Sequence, residues 1–169
     1  MPFIQNCAAS DINIGQFYVE LPDIGQFYKD PGLKSMLIQI SDPAGWVPDP
    51  KHDFAEVHHF EFLDVEKDDL VYDPAFRCSQ TQASNLVRLL QHALELDMNV
   101  IVHCTAGICR SGAVTEVGVM LGFEDTKRYR QPNLLVKHQM MRELGMTYDK
   151  DEQSVPINLS AKFDWEGDV

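Results

Sequence analysis

The stretch that most restricts how this chain folds is VIVHCTAGICRSGAV, residues 100–114. Three apolar residues run into His103 and Cys104. Small residues and Gly107 follow, then Cys109, Arg110, Ser111 and Gly112, and a second apolar run. The first run reads as a short buried strand. The second reads as a helix, with Val114, Val117, Gly118 and Leu121 at helical spacing on its inner face. A strand, a tight loop and a helix in succession aim backbone N–H groups and the helix N-terminus at one point, which makes an anion site. Arg110, at the far end of the loop, offers a planar fork that matches two phosphoryl oxygens. Cys104, at the near end, lies in the same positive field, which favours its thiolate. A thiolate held against a cradled phosphoryl group is a nucleophile in attack position.

The remaining segments supply a scaffold for such a unit. SMLIQISDP at 35–43 reads as a buried strand ended by a Ser-Asp-Pro turn, and AEVHHFEFLDV at 55–65 as a second strand. SQTQASNLVRLLQHALELD at 79–97 reads as a helix, with Ser79 as N-cap and Leu86, Leu89, Leu90, Ala93 and Leu94 on one face. QPNLLVKHQMMRELG at 131–145 reads as another, with Pro132 near its start and Gly145 closing it. Strands alternating with helices predict an α/β fold with a central, mostly parallel sheet flanked by helices. The pentapeptide IGQFY occurs twice, at 14–18 and 24–28. Two copies are too few and too short for a solenoid, and they read as a local duplication without a functional assignment. After Gly145 the chain turns acidic and loses periodicity. The organisation expected is one domain over 1–145 and an acidic extension over 146–169, which Phe163 and Trp165 can anchor.

Composition narrows the function classes. The 169 residues suit one domain, and the net charge of −12 opposes binding to nucleic acid or an anionic membrane. No stretch is long and apolar enough to span a bilayer, and the N-terminus does not read as a signal peptide, so a cytoplasmic setting is expected. Four cysteines in a reducing compartment are expected as thiols, with Cys7 and Cys78 in packing roles. The tandem His58 and His59 read as one buried and one exposed strand residue rather than a metal site.

The run His103-Cys104-x5-Arg110-Ser111-Gly112 resembles the signature of the cysteine-dependent protein tyrosine phosphatases. The order LIQISDP, FEFLDV, helix, signature, then QPN opening a last helix is similar to the dual-specificity branch, in particular its small bacterial and viral members. The likeness spans about residues 35–145. It implies a protein tyrosine phosphatase-like fold, no metal and no cofactor. It casts Cys104 as the nucleophile of a phosphocysteine intermediate and Arg110 as the clamp on the phosphoryl oxygens. The backbone N–H groups of Thr105, Ala106, Gly107, Ile108, Cys109 and Arg110 would bind phosphate. His103 would fix the loop's shape, and Ser111 would donate to the sulfur as it departs.

The family also uses an aspartic acid to protonate the leaving oxygen. Asp64, at the end of FEFLDV, is the favoured candidate. Asp68 and Asp69 compete if the strand runs to Glu66, and Asp73, before Pro74, stays open. No WPD triplet occurs; WVPD at 46–49 lies too early. Asn133 is either a neighbour of the loop, as in similar proteins, or an ordinary helix cap. Lys127, Arg128 and Arg130 either steer an anionic substrate or form a solvated flank. Cys109 either packs under the loop or, as in the CxxxxCRS arrangement of the low-molecular-weight phosphatases, forms a disulfide with the oxidised nucleophile.

The function expected is hydrolysis of phosphotyrosine in a phosphorylated protein partner, with phosphoserine and phosphothreonine as further candidates. The alternatives are a phosphoprotein-binding module without turnover, or a phosphatase acting on a non-protein ester such as an RNA 5′ end or a phosphoinositide. The uncharged Thr105–Ile108 segment and the acidic chain oppose the last of these.

Overall fold

A computed structural model describes residues 1–21, 23, 25–66 and 76–146. In chain order the elements are β1 (Phe3–Ala8), α1 (Ala9–Ile14), β2 (Tyr18–Leu21), β3 (Gly25–Tyr28), β4 (Ser35–Ser41), β5 (Glu56–Glu61), α2 (Gln80–Glu95), β6 (Asn99–Cys104), α3 (Arg110–Leu121), β7 (Glu124–Asp125) and α4 (Leu134–Glu143). Five strands form one sheet in the order β5-β4-β6-β1-β7, and every neighbouring pair is parallel. The expected α/β architecture is borne out.

Successive strand residues face opposite sides, so each strand feeds two cores. Ile4, Met36, Ile38, Val100, Val102 and Cys104 pack on the side that also buries Leu86 and Leu90 of α2, Val114 and Val117 of α3, and Val136 and Met140 of α4. Phe3, Cys7, Leu37 and Ile101 pack on the other side with Ile12 of α1 and Phe17. Because both faces are covered, all seven residues of β4 are buried. The edge strand β5 instead alternates half-buried and exposed positions.

Local chemistry explains several boundaries. Ser79 caps α2 in a reciprocal box: its Oγ accepts from Gln82 N–H at 3.1 Å, and Gln82 Oε1 accepts from Ser79 N–H at 2.9 Å. The last helix starts at Leu134 rather than 131. Gln131 N–H donates to the Ile108 carbonyl and Asn133 N–H to the Cys109 carbonyl, so this segment is held against the 104–110 loop instead of coiling. The strand expected over 55–65 ends at Glu61, and the chain then runs irregularly past Asp64. The sequence reading did not anticipate β1, although it lies between β6 and β7.

The two IGQFY copies take different structures. Gly15 (φ 78°) ends α1, whereas Gly25 opens β3 in an antiparallel hairpin that pairs Tyr18 with Tyr28. Asp68, Asp69, Asp73 and the extension beyond Met146 lie outside the described residues. No described helix is long and apolar enough to cross a membrane.

Candidate active site

In a parallel sheet the carboxyl ends of the strands point one way, and ligand-binding loops collect there. Here that edge gathers Ala9 and Ser10 after β1, Asp42 after β4, Phe62 to Asp64 after β5, and the Cys104–Arg110 loop after β6. The loop is held from outside by its carbonyls. Thr105 accepts from Ala9 N–H at 3.3 Å, Ile108 from Gln131 N–H at 3.1 Å, and Cys109 from Asn133 N–H at 2.9 Å. The Gly107 carbonyl accepts from Asn6 Nδ2 at 2.7 Å, and that same amide reaches the Tyr129 carbonyl at 3.0 Å. Among the described residues no acceptor is found for the N–H groups of Ala106 to Cys109. Outward carbonyls and unpaired amides are the arrangement of an anion-binding nest, next to the N-terminus of the twelve-residue α3. Gly107 is obligatory: its φ is 77°, and an added Cβ would run into the Cys7 carbonyl carbon and stand 2.5 Å from Ala8 N.

Cys104 ends β6 almost fully buried, with Sγ 3.2 Å from Ser111 Oγ in the first turn of α3. Arg110 opens that helix, and its side chain is 6% exposed. Its Nη1 donates to Asp42 Oδ1 at 2.7 Å and to the Phe62 carbonyl at 2.8 Å, and Nη2 donates to Thr105 Oγ1 at 3.2 Å. Its Nε is buried without a partner among the described residues. Nη1 is thus doubly anchored and Nη2 spends one hydrogen on Thr105, so the Nε hydrogen and the second Nη2 hydrogen remain as the fork for a ligand. Asp42 and the Phe62 carbonyl are the groups that orient it.

Asp64 stands at the rim of a pocket of about 340 Å³ that is also lined by Asp42, Leu63, Val65, Thr105 and Arg110. Asn133 Nδ2 donates to Asp64 Oδ1 at 2.6 Å and to the Val65 carbonyl at 3.3 Å, while Asn133 Oδ1 accepts from Val136 N–H at 3.1 Å. Both sequence readings of Asn133 therefore hold: it caps α4, and its backbone N–H bonds the 104–110 loop at Cys109, while its side chain also reaches Asp64. The Cys109 thiol lies close enough to Asp64 to feel its charge. Burial and the Asp64 charge push that thiol up to about 11.

The other sequence-derived residues sort out as follows. His103 is buried, with Nδ1 3.3 Å from the Cys104 carbonyl oxygen, and burial pushes its imidazole down to about 4. Cys7 and Cys78 are buried thiols, raised by desolvation, Cys78 to about 12. His58 meets Glu56 at 2.9 Å and His59 meets Ser41 Oγ at 2.7 Å. The basic run is tied into the fold: Arg128 pairs with Asp11, and Arg130 with both Asp125 and Glu116.

Three contributors escaped the sequence reading: Asn6, Asp42 and the Phe62 carbonyl. Asp42 carried a usable signal, because it follows a predicted parallel strand at its carboxyl end. Asn6 carried none, since a buried amide inside a strand looks like any polar residue.

No protein-family model matches the sequence, and no curated protein is significantly similar to it. Among solved structures, a human tyrosine phosphatase-like serine/threonine/tyrosine-interacting protein is 18% identical, with a TM-score of 0.46 over 66% of this chain and 76% of that one. That likeness carries no argument about chemistry, which rests on the residues of the site.

Proposed function

We propose that this protein is a cysteine-dependent phosphatase that hydrolyses phosphotyrosine in proteins through a phosphocysteine intermediate. The observation that carries this reading is the convergence of Cys104, Ser111 and the free edge of Arg110 on one loop with unpaired amides. Cys104 Sγ attacks phosphorus; the S–P bond forms as the bond to the tyrosyl oxygen breaks. Arg110 and the loop amides hold the three equatorial oxygens, whose charge they stabilise in the transition state. Asp64 gives its proton to the departing oxygen. A water then gives a proton back to Asp64 and attacks phosphorus. The S–P bond breaks, the Ser111 hydroxyl donates to the leaving sulfur, and inorganic phosphate departs. Leu63 and Val65 give the pocket apolar surface suited to an aryl ring. Phosphoserine and phosphothreonine esters are further candidates for the same reaction. Four unpaired thiols suit a reducing, cytoplasmic setting.

The test is hydrolysis of an aryl phosphate in EDTA. Cys104→Ser is expected to lower turnover by about 10³-fold or more while inorganic phosphate still binds. Arg110→Lys is expected to cost about 10²–10³-fold, because a point charge cannot replace the fork. Wild-type rates from Cys104→Ser would overturn the mechanism. Phosphopeptide binding by a wild-type protein without turnover would establish the binding-module alternative.

A further inference from the structure

A second pocket, of about 300 Å³, opens beside the first and shares Asp42 and Thr105 with it. Both of these residues hydrogen-bond Arg110, so they form a ridge between the phosphate loop and this neighbouring space. Ser10, Trp46 and His103 also line it, and no lysine or arginine does. Its volume lies at the small end for ligand pockets, the size for one side chain.

Beside the apolar Ala9 and Ile40, the side-chain chemistry of the walls is weighted toward acceptors and a π face. Asp42 spends Oδ1 on Arg110, and its other oxygen has no partner among the described residues. Trp46 is 64% exposed and offers an indole face. Its loop is ordered by a turn in which Gly45 N–H donates to the Asp42 carbonyl at 2.8 Å, and by Gln39 Nε2 donating to the Pro48 carbonyl at 3.0 Å. His103 Nε2 is buried and unpartnered among the described residues. In the tautomer that donates from Nδ1 to the Cys104 carbonyl, Nε2 is an acceptor. The imidazole is held neutral by burial and does not repel a cation.

We infer that this pocket is a subsite for an arginine or lysine side chain flanking the phosphorylated residue of the substrate. The inference rests on the phosphatase reading for the occupant of the adjoining loop. A cation stacks on the indole and meets the free Asp42 oxygen. The need for it grows when a phosphoryl dianion takes the Arg110 edge, because Asp42 then shares its counter-charge. An acidic residue in the same place would meet Asp42 with no compensating base.

The experiment compares phosphotyrosyl peptides identical except for arginine or glutamate at the positions flanking the phosphotyrosine. kcat/KM is read on the wild type, and Kd on Cys104→Ser. An arginine preference of about tenfold is expected in both. Trp46→Ala is expected to abolish most of it without changing hydrolysis of a simple aryl phosphate. It leaves net charge unchanged, so a general attraction to an acidic protein would survive the substitution and a local subsite would not. Ser10→Lys, on the exposed start of α1, is expected to reverse the preference. Equal handling of both peptides, or a preference that persists in Trp46→Ala, overturns the subsite. Failure of aryl phosphate turnover overturns the phosphatase reading instead, and the Kd comparison still decides the subsite.

Discussion

The loop at 104–110 and the segment at 62–66 face the same pocket but present their chemical groups in different ways. The loop is fixed by its own backbone: four carbonyls are bonded to Ala9, Asn6, Gln131 and Asn133, and Gly107 lies against the end of β1. The segment carrying Asp64 is tied by backbone only at its start, Phe62 N–H to the Ser41 carbonyl and Leu63 N–H to the Phe76 carbonyl, and the Asp64 carboxylate itself is placed by a side chain, Asn133 Nδ2. A cradle for a fixed charge must not reorganise during reaction, whereas an acid that becomes a base must only reach the leaving oxygen and then a water. Backbone anchoring suits the first task and side-chain anchoring the second.

The largest effect expected from breaking this arrangement is at Gly107. Gly107→Ala drives a methyl into the β1 backbone and demands φ near +77° of a residue that avoids it. Phosphate affinity and aryl phosphate turnover should both fall, turnover by about 10²-fold or more. Phosphate binding by calorimetry, with circular dichroism to confirm folding, checks this. Near-normal affinity would show that the loop is looser than its anchors imply.

Asp64→Asn should act on chemistry alone. Phosphate affinity should hold, while kcat for a phenyl leaving group falls by about 10²–10⁴-fold. An acidic phenol that leaves unprotonated should be affected far less, and the basic limb of the pH–rate profile should flatten. If Asp68→Asn or Asp73→Asn gives that pattern instead, the acid lies further along the chain.

The smallest effect on basal rate is expected at Cys109, whose thiol links the two regions. Peroxide oxidises the Cys104 thiol to a sulfenic acid, and is itself reduced, with release of water. The Cys109 sulfur then forms an S–S bond, expelling a second water, and a dithiol restores both thiols. Cys109→Ser should keep turnover within about threefold of wild type yet recover poorly after peroxide. Full recovery by Cys109→Ser, or a link from Cys104 to Cys7 or Cys78 on peptide mapping, would leave Cys109 with a packing role under the loop.

What could be read from the sequence tracks the range of the interactions involved. The loop spans seven residues and its determinants are local, so its strand, glycine and helix start are all legible. The α2 cap is legible for the same reason, because Ser79 and Gln82 are three residues apart. Strand β1 is not, because buried Gln5 and Asn6 interrupt its apolar pattern and its pairing partners are remote. The tie from Asp42 to Arg110 crosses 68 residues, and no local pattern encodes it. The IGQFY copies make the point from the other side: Gly15 of the first closes a helix, whereas Gly25 of the second opens a strand.

The strand order has a consequence for a chain emerging from the ribosome. Phe3 finds Asn99 across 96 residues, a stretch that takes about 5–20 s to synthesise at ordinary rates. Until then the first strand has neither of its sheet neighbours, and Asn6 has neither Gly107 nor Tyr129 to hold. A nascent chain that has already made Cys104 and Arg110 still lacks the 129–133 segment whose N–H groups brace the loop between them. The loop at the middle of the sequence is therefore complete only when Asn6 from β1 and the 129–133 segment have both reached it.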